Sequence, residues 1–320
     1  MNLNIVFMEA QSLGEDVDLS VFSKLGNVTI YETDHPEKNK DRIKDADILV
    51  MNKILMNEEL LKYAPNLKLI CVTATGTDCI DLEYTAKRGI AVSNVVAYST
   101  ESVVQHTFAL LFYLWEKSRF YDEYVKEGEY SKAEGFGCYP EKFHELAGKT
   151  WGIVGLGNIG RRVAEVAAVF GCRVIFYSPS GNKRDDVPYE QVTLPQLLEQ
   201  SDILSIHAPL TKDTKELICK DTLSQMKKTA VLINVGRGGI VNDEDLTKAL
   251  KDGIIGAAGL DALNQEPMPL DNPLYRIQDS KKLYITPHIA WATVESRRRC
   301  VEEVYKNIES FFQGTVRNKV

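Results

Sequence analysis

Three polar residues stand just past successive apolar segments in the second half of the chain: Arg237, Asp261 and His288. Glu266 follows Asp261 closely. Arg237 sits in Gly236-Arg237-Gly238-Gly239, where its neighbours add no bulk. A guanidinium can hold a carboxylate through two parallel hydrogen bonds. His288 follows Pro287, which restrains the backbone, and histidine is the side chain best suited to pass a proton near neutral pH. Glu266 can pair with it, because a carboxylate beside an imidazole favours the protonated ring. Singly, each has a plain structural reading: a strand-to-helix turn, a cap, a loop entry. Together, at strand ends beside a dinucleotide fingerprint, they mark an active site.

That fingerprint is Gly155-Leu156-Gly157-Asn158-Ile159-Gly160, after the apolar Thr150–Val154 and before Arg161-Arg162-Val163-Ala164-Glu165-Val166. Its glycines fit G-x-G-x-x-G. Gly155 permits the tight turn, Gly157 lets backbone approach a pyrophosphate, and Gly160 lets the helix pack closely on its strand. The helix N-terminus then offers N–H groups and partial positive charge to phosphates. A second strand, Arg173–Tyr177, follows as the motif requires.

The elements needed to position these groups are legible around them. In the first third, Leu3–Met8, Val28–Tyr31, Asp47–Met51, Leu67–Val72 and Gly89–Asn94 read as strands, with a charged helix over Glu37–Lys44. Strands spaced by helical segments give a parallel sheet with helices on both faces. The turn Val72-Thr73-Ala74-Thr75-Gly76-Thr77-Asp78 leaves the C-terminal end of the fourth strand, where its small residues can turn backbone N–H groups toward a carboxylate. An ordinary strand–helix connection fits that turn equally well. Ser99-Thr100-Glu101 opens a helical pattern running to about Lys126, too broadly apolar for one core stripe, so that it crosses between domains or meets a second subunit. Its His106, among apolar neighbours, reads as a satisfied structural group. Gly128–Leu146 is irregular. Beyond the fingerprint, 201–211 reads as a strand emerging into a loop, further strands are expected at 230–235, 256–262 and 283–286, and a closing helix over 293–313 returns the chain to the first domain. The expected architecture is α/β. A Rossmann-type doubly wound cofactor domain spans 100–291, and a smaller flavodoxin-like substrate domain is formed by 1–99 and 292–320.

At 320 residues the chain is long enough for two domains. A net charge of −7 without a basic run argues against a nucleic-acid partner. No apolar segment reaches membrane-spanning length, and Met1-Asn2-Leu3-Asn4 lacks the basic start of a signal peptide, so a cytoplasmic protein is expected. The six cysteines are scattered without a C-x-x-C pair and read as reduced thiols; no metal site is expected.

The chain resembles the D-isomer-specific 2-hydroxyacid dehydrogenases over essentially its whole length. The resemblance rests on five motifs in the family's order: Gly155–Gly160, His207-Ala208-Pro209-Leu210-Thr211, Asn234–Gly239, Gly259-Leu260-Asp261 with Glu266-Pro267, and Pro287-His288-Ile289-Ala290. Ala97–His106 and His288–Thr293 look like the glycerate dehydrogenase or hydroxypyruvate reductase branch. The resemblance implies that Arg237 binds the substrate carboxylate, that His288 donates a proton to the carbonyl oxygen as hydride arrives from the nicotinamide, and that Glu266 keeps His288 protonated. It implies backbone donors to the carboxylate at Ala74, Thr75 and Gly76, and contact of Asp261 with the nicotinamide carboxamide. Further cofactor contacts are implied at Gly155, Gly157, Asn158, Ile159 and Gly160, at Ser178, Pro179 and Ser180, at His207, Ala208, Pro209 and Thr214, at Asn234, Val235 and Gly236, and at His288 and Ala290. Hinges near Ala97–Ser99 and Ile289–Ala292, and a homodimer formed through the cofactor domain, are also implied. The substrate is then a small 2-oxo or 2-hydroxy acid, hydroxypyruvate or glyoxylate first. D-Lactate dehydrogenase activity and a nucleotide-sensing corepressor are the alternatives.

One position departs from the NAD pattern. An acidic residue at the end of the second strand usually holds the adenosine ribose. Here Ser178 stands there, in Ser178-Pro179-Ser180-Gly181-Asn182-Lys183-Arg184, and no carboxylate occurs until Asp185. Serine hydroxyls and nearby basic groups suit a 2′-phosphate, which leans the cofactor reading from NAD toward NADP or dual use. A solvated loop with NAD still accepted is the plainer alternative.

Overall fold

The computed structural model describes residues 3–184 and 186–320. Met1 and Asn2, at the start of the N-terminal reading, and Asp185 lie outside the described residues. The chain divides into two compact units, one holding the residues through Ser99 with Ala292–Val320, the other Thr100–Trp291.

The first unit alternates β1 (Leu3–Phe7), β2 (Gly26–Ile30), α1 (Pro36–Ile43), β3 (Ile48–Met51), α2 (Glu58–Leu61), β4 (Leu69–Val72), α3 (Leu82–Lys87) and β5 (Ala91–Ser93). All pairings are parallel, in the order β2-β1-β3-β4-β5. That is the flavodoxin-like order. Strands β3 and β4 are buried at every residue, as central strands covered on both faces must be. The closing helix, Val294–Phe312, packs against β4. Arg299 Nε donates to the Tyr98 carbonyl at 2.9 Å and Asn307 Nδ2 to that of Asn94 at 2.9 Å, fastening this returning segment to the unit.

The second unit begins with α4 (Thr100–Trp115) and α5 (Ser118–Lys126), followed by β6 (Thr150–Val154), α6 (Asn158–Val169), β7 (Arg173–Tyr177), β8 (Glu190–Gln191), α7 (Leu194–Gln200), β9 (Ile203–Ile206), α8 (Lys220–Leu223), β10 (Val231–Asn234), α9 (Asp243–Asp252), β11 (Ala257–Leu260) and β12 (Leu283–Ile285). Its parallel sheet runs β12-β11-β10-β9-β6-β7-β8, the doubly wound Rossmann order extended by a seventh strand. The order reverses between β6 and β9, so ligands belong at the C-terminal ends of those strands.

One expectation needs correction. The helix expected over 101–126 is two helices, because Lys117 adopts the left-handed conformation (φ 55°) and the apolar pattern stops at Trp115. The buried apolar residues of α4 pack within its own unit. Helix α4 lies against α6, β10 and β11, and Phe108 meets the Trp151 ring at 4.9 Å. The edge strand β8 gave no apolar signal, since both its residues are exposed. Among the described residues, no helix is long and apolar enough to cross a membrane.

Candidate active site

The fingerprint glycines occupy three different environments. Gly155 leaves β6 at φ 88°, and a Cβ there would lie 2.9 Å from the Ala208 backbone. At Gly160 a Cβ would come within 2.2 Å of the Gly155 carbonyl oxygen. Both sites need glycine for the protein's own packing. Gly157, at the N-cap of α6, is different: a Cβ there meets nothing within 4 Å. The open space lies where backbone N–H groups and the helix dipole converge, which suits a pyrophosphate. Asn158 is exposed beside it, while Ile159 is half-buried against the core.

Around this turn stand the other cofactor candidates. After β7, Ser178 and Pro179 are half-buried and Ser180 is exposed, with the two serine hydroxyls 3.2 Å apart. After β9, the His207 N–H is held by the Val154 carbonyl, and its Nε2 lies 3.0 Å from Ser205 Oγ. That hydroxyl also accepts the Trp151 indole N–H at 2.8 Å. His207 Nδ1 is buried with no hydrogen-bond partner among the described residues, and burial pushes the ring down to about 3. A neutral ring with an unsatisfied nitrogen beside the fingerprint fits a polar ligand there. Ala208 is buried and Pro209 exposed. Thr214 and Asn234 use their side chains internally. Thr214 Oγ1 donates to the Pro209 carbonyl at 2.7 Å, and Asn234 accepts the Gly236 N–H while donating to the Arg237 carbonyl. They shape the 209–214 and 234–237 turns, and the half-buried Val235 and Gly236 are carried on the second.

The candidate groups Arg237, Glu266 and His288 follow the C-terminal ends of β10, β11 and β12. His288 Nδ1 lies 2.7 Å from Glu266 Oε2. The carboxylate can only accept, so Nδ1 carries the hydrogen and Nε2 is left for proton transfer. The second oxygen of Glu266 accepts the Leu263 N–H at 2.9 Å, which fixes the carboxylate. Side chains of His288 and Glu266 remain 25% and 31% exposed, so the pair is accessible to substrate. Arg237 enters from the neighbouring strand. The following Gly238 packs so tightly on the 263–264 backbone that a Cβ would fall 1.9 Å from the Leu263 carbonyl carbon. The Arg237 turn and the Glu266 loop are thereby one packed body.

Asp261 is buried and its carboxylate is engaged by the protein's own groups. It is 2% exposed, and its carboxylate accepts from Thr286 Oγ1 at 2.6 Å, from the Ile289 N–H at 2.8 Å and from the Ala290 N–H at 2.8 Å. These bonds close the 286–290 turn around His288, which holds a left-handed backbone (φ 56°). Such a conformation in a non-glycine residue persists only where its surroundings fix it. The clamp role leaves no local signal in the sequence, and Gly238 reads there only as a neighbour of Arg237 that adds no bulk. Ala74, Thr75 and Gly76 sit at the C-terminal end of β4, in the first unit. There Thr75 Oγ1 donates to the Val95 carbonyl at 2.9 Å and Asn94 Nδ2 to that of Thr75 at 2.7 Å, which shapes the loop. Among the described residues no group of three or more His, Cys, Asp or Glu side chains could hold a metal.

A doubly wound nucleotide unit, with a histidine–glutamate pair and an arginine at adjoining strand ends, fits an NAD(P)-dependent oxidoreductase acting on a CH–OH group. Residues 108–290 match the NAD-binding domain of the D-isomer specific 2-hydroxyacid dehydrogenases, and the chain belongs to that family. It is 36% identical to a glycerate dehydrogenase of Methylorubrum extorquens, covering 100% of this chain and 99% of the relative. It is 34% identical to a hydroxypyruvate reductase of Blautia hydrogenotrophica, covering 99% of each. Among solved structures, the D-lactate dehydrogenase of Aquifex aeolicus complexed with NAD and lactic acid superposes with a TM-score of 0.86 at 32% identity, covering 97% of this chain and 96% of that one.

Proposed function

We propose that this dehydrogenase reduces a small 2-oxo acid to the D-2-hydroxy acid, with hydroxypyruvate the first substrate and glyoxylate the next. The observation that carries the reading is the His288–Glu266 pair at 2.7 Å, packed against the Arg237 turn. When bound, the nicotinamide supplies the hydride. Arg237 takes the substrate carboxylate and orients the 2-oxo group. His288 delivers a proton from Nε2 to the carbonyl oxygen, and Glu266 holds the ring by Nδ1 and compensates its charge. Backbone N–H groups at Ala74, Thr75 and Gly76 are further candidate donors to a carboxylate. The glycerate and hydroxypyruvate names of the two curated relatives support this substrate choice.

NADP or dual cofactor use is supported by the Ser178 and Ser180 hydroxyls at the end of β7, with Lys183 and Arg184 exposed just beyond them. A homodimer forms through the second unit. Phe136 (94% exposed), Tyr139 and Leu270 are large apolar groups in water, and a groove lined by Tyr113, Met268, Leu274, Tyr275, Ile277 and Tyr284 suits such side chains from a second copy.

The test is oxidation of NADH and NADPH, offered separately with hydroxypyruvate, glyoxylate, pyruvate and a bulkier 2-oxo acid, followed by loss of nicotinamide absorbance. Fastest turnover with hydroxypyruvate is expected. Turnover with bulkier acids alone would refute the substrate assignment, and no turnover with any acid would refute the reductase.

A further inference from the structure

Helix α4 touches the turn that carries His288 at two points. Ser102 Oγ donates to the Ala290 carbonyl at 2.6 Å. One helical turn later, His106 Nε2 lies 2.9 Å from Thr286 Oγ1. Residues four apart share a helix face, so these two polar groups form a short stripe on a helix otherwise rich in buried apolar residues. Both contacts are buried or half-buried.

The direction of the bonds can be read from chemistry. Thr286 Oγ1 gives its single hydrogen to Asp261 Oδ1, since the carboxylate only accepts. The hydroxyl must therefore accept from His106, which fixes the hydrogen on Nε2. Burial pushes His106 down from its ordinary value, and Asp261 opposes this only in part. The ring is thus a neutral donor near pH 7, and its 3.5 Å approach to Asp261 Oδ1 is not an ion pair. A directed chain results: His106 N–H to Thr286 O–H to Asp261, whose carboxylate also gathers the Ile289 and Ala290 N–H groups on the far side of His288.

We infer that His106 is a positioning residue for proton transfer, holding the left-handed His288 turn in register through Thr286 and Asp261, with Ser102 as the second anchor. The inference rests on the reading of His288 as the proton donor. His106 touches neither substrate nor reacting atom. Its effect is on kcat, because a turn that loses one anchor spends less of its time with the imidazole in line. A side-chain hydrogen bond of this kind corresponds to roughly a 3–10-fold change in rate.

The experiment compares His106→Phe, which keeps ring bulk without a donor, with His106→Gln, whose amide N–H reaches a similar position. In each, kcat and KM for the 2-oxo acid are measured alongside the Kd for NADH by fluorescence titration. His106→Phe is expected to lower kcat roughly 3–10-fold while the NADH Kd stays within about twofold, and His106→Gln to recover most of the loss. Adding His106→Phe to Thr286→Val should cost little beyond Thr286→Val alone, because the first acts through the second. If His106→Phe fails to fold, as failure to bind NADH would reveal, the Gln variant and the Thr286→Val comparison in a Ser102→Ala background carry the test. Wild-type kcat in His106→Phe, or equal loss in the Phe and Gln variants, would overturn the inference while leaving the reading of His288 intact. Wild-type kcat in His288→Ala would overturn that reading, and the inference with it.

Discussion

Replacing Gly238 with alanine tests whether the Arg237 turn and the Glu266 loop work as one body. The added Cβ would stand 1.9 Å from the Leu263 carbonyl carbon, 2.0 Å from its oxygen and 2.4 Å from the Asn264 nitrogen. All three are backbone atoms, so no side-chain rotation relieves the clash. Reaching even 3.0 Å, the limit of observed Cβ contacts, takes 3.0 − 1.9 = 1.1 Å of separation. The segment that must move contains Leu263, whose N–H holds Glu266, which in turn holds His288 at 2.7 Å. A misplacement of about 1 Å costs on the order of 100-fold in rate, or about 2.7 kcal/mol of barrier. Overpacking should also lower stability by about 1–3 kcal/mol. The expected phenotype of Gly238→Ala is a roughly 100-fold lower kcat in a folded protein with nearly unchanged NADH affinity, since the fingerprint turn is not touched. Steady-state kinetics, nucleotide titration and thermal unfolding on the same sample measure all three. A kcat within about threefold of wild type would refute the reasoning, because the loop would then have absorbed the displacement without moving Glu266.

Other outcomes follow from the same geometry. His288→Ala should lower kcat by roughly 10²–10⁴-fold, whereas Arg237→Ala should raise KM as well as lower kcat; identical profiles in steady-state assays would contradict the division of roles. Ser178→Asp should place a carboxylate against a 2′-phosphate and lower kcat/KM for NADPH relative to NADH by at least about tenfold, worth about 1.4 kcal/mol, and an unchanged ratio would defeat the NADP assignment. Burial holds folded His207 at about 3 against an ordinary 6.5, so between these values the unfolded chain binds the extra proton. Stability is therefore fully retained above about 6.5 and falls as pH drops, by at most about 1.4 kcal/mol per unit from this group. Denaturant titrations should show a shallower acid slope in His207→Gln, and equal slopes would remove His207 as the cause. If the second unit pairs as proposed, light scattering should give a dimer mass for the parent and a monomer mass for Phe136→Asp, and an unchanged mass would exclude that side chain from the interface.

Much of this arrangement is legible in the residues themselves. The period of apolar segments gave both parallel sheets, because fully buried parallel strands are short apolar runs between polar turns. The chemistry-bearing residues were legible for a related reason: Arg237, Asp261 and His288 stand at strand ends, where a doubly wound sheet opens its crevice. What stayed hidden depends on contacts between distant segments. Nothing local in Gly238 distinguishes it from Gly239, and only the 263–264 backbone lying against it does so. Asp261 bears a charge at a strand end in sequence, but its clamp function needs the 289–290 amides to arrive from another strand. His106 reads in sequence as a satisfied group, and it is satisfied; the identity of its partner, Thr286, carries the meaning. The helix break at Lys117 was missed because a single left-handed residue leaves no periodic trace.

The three fingerprint glycines would register very differently in a screen of variants. Gly155 and Gly160 face protein backbone, so any side chain there damages the fold and shows as lost expression or a lowered melting temperature. Gly157 faces open space, and a side chain there disturbs nothing the polypeptide needs for itself. A Gly157 variant should pass every test of solubility and thermal stability in the absence of nucleotide, then show none of the thermal protection that ligand confers on the parent. Selection for stability alone is blind at this position, and a lineage that no longer needed its cofactor would be free to change it first.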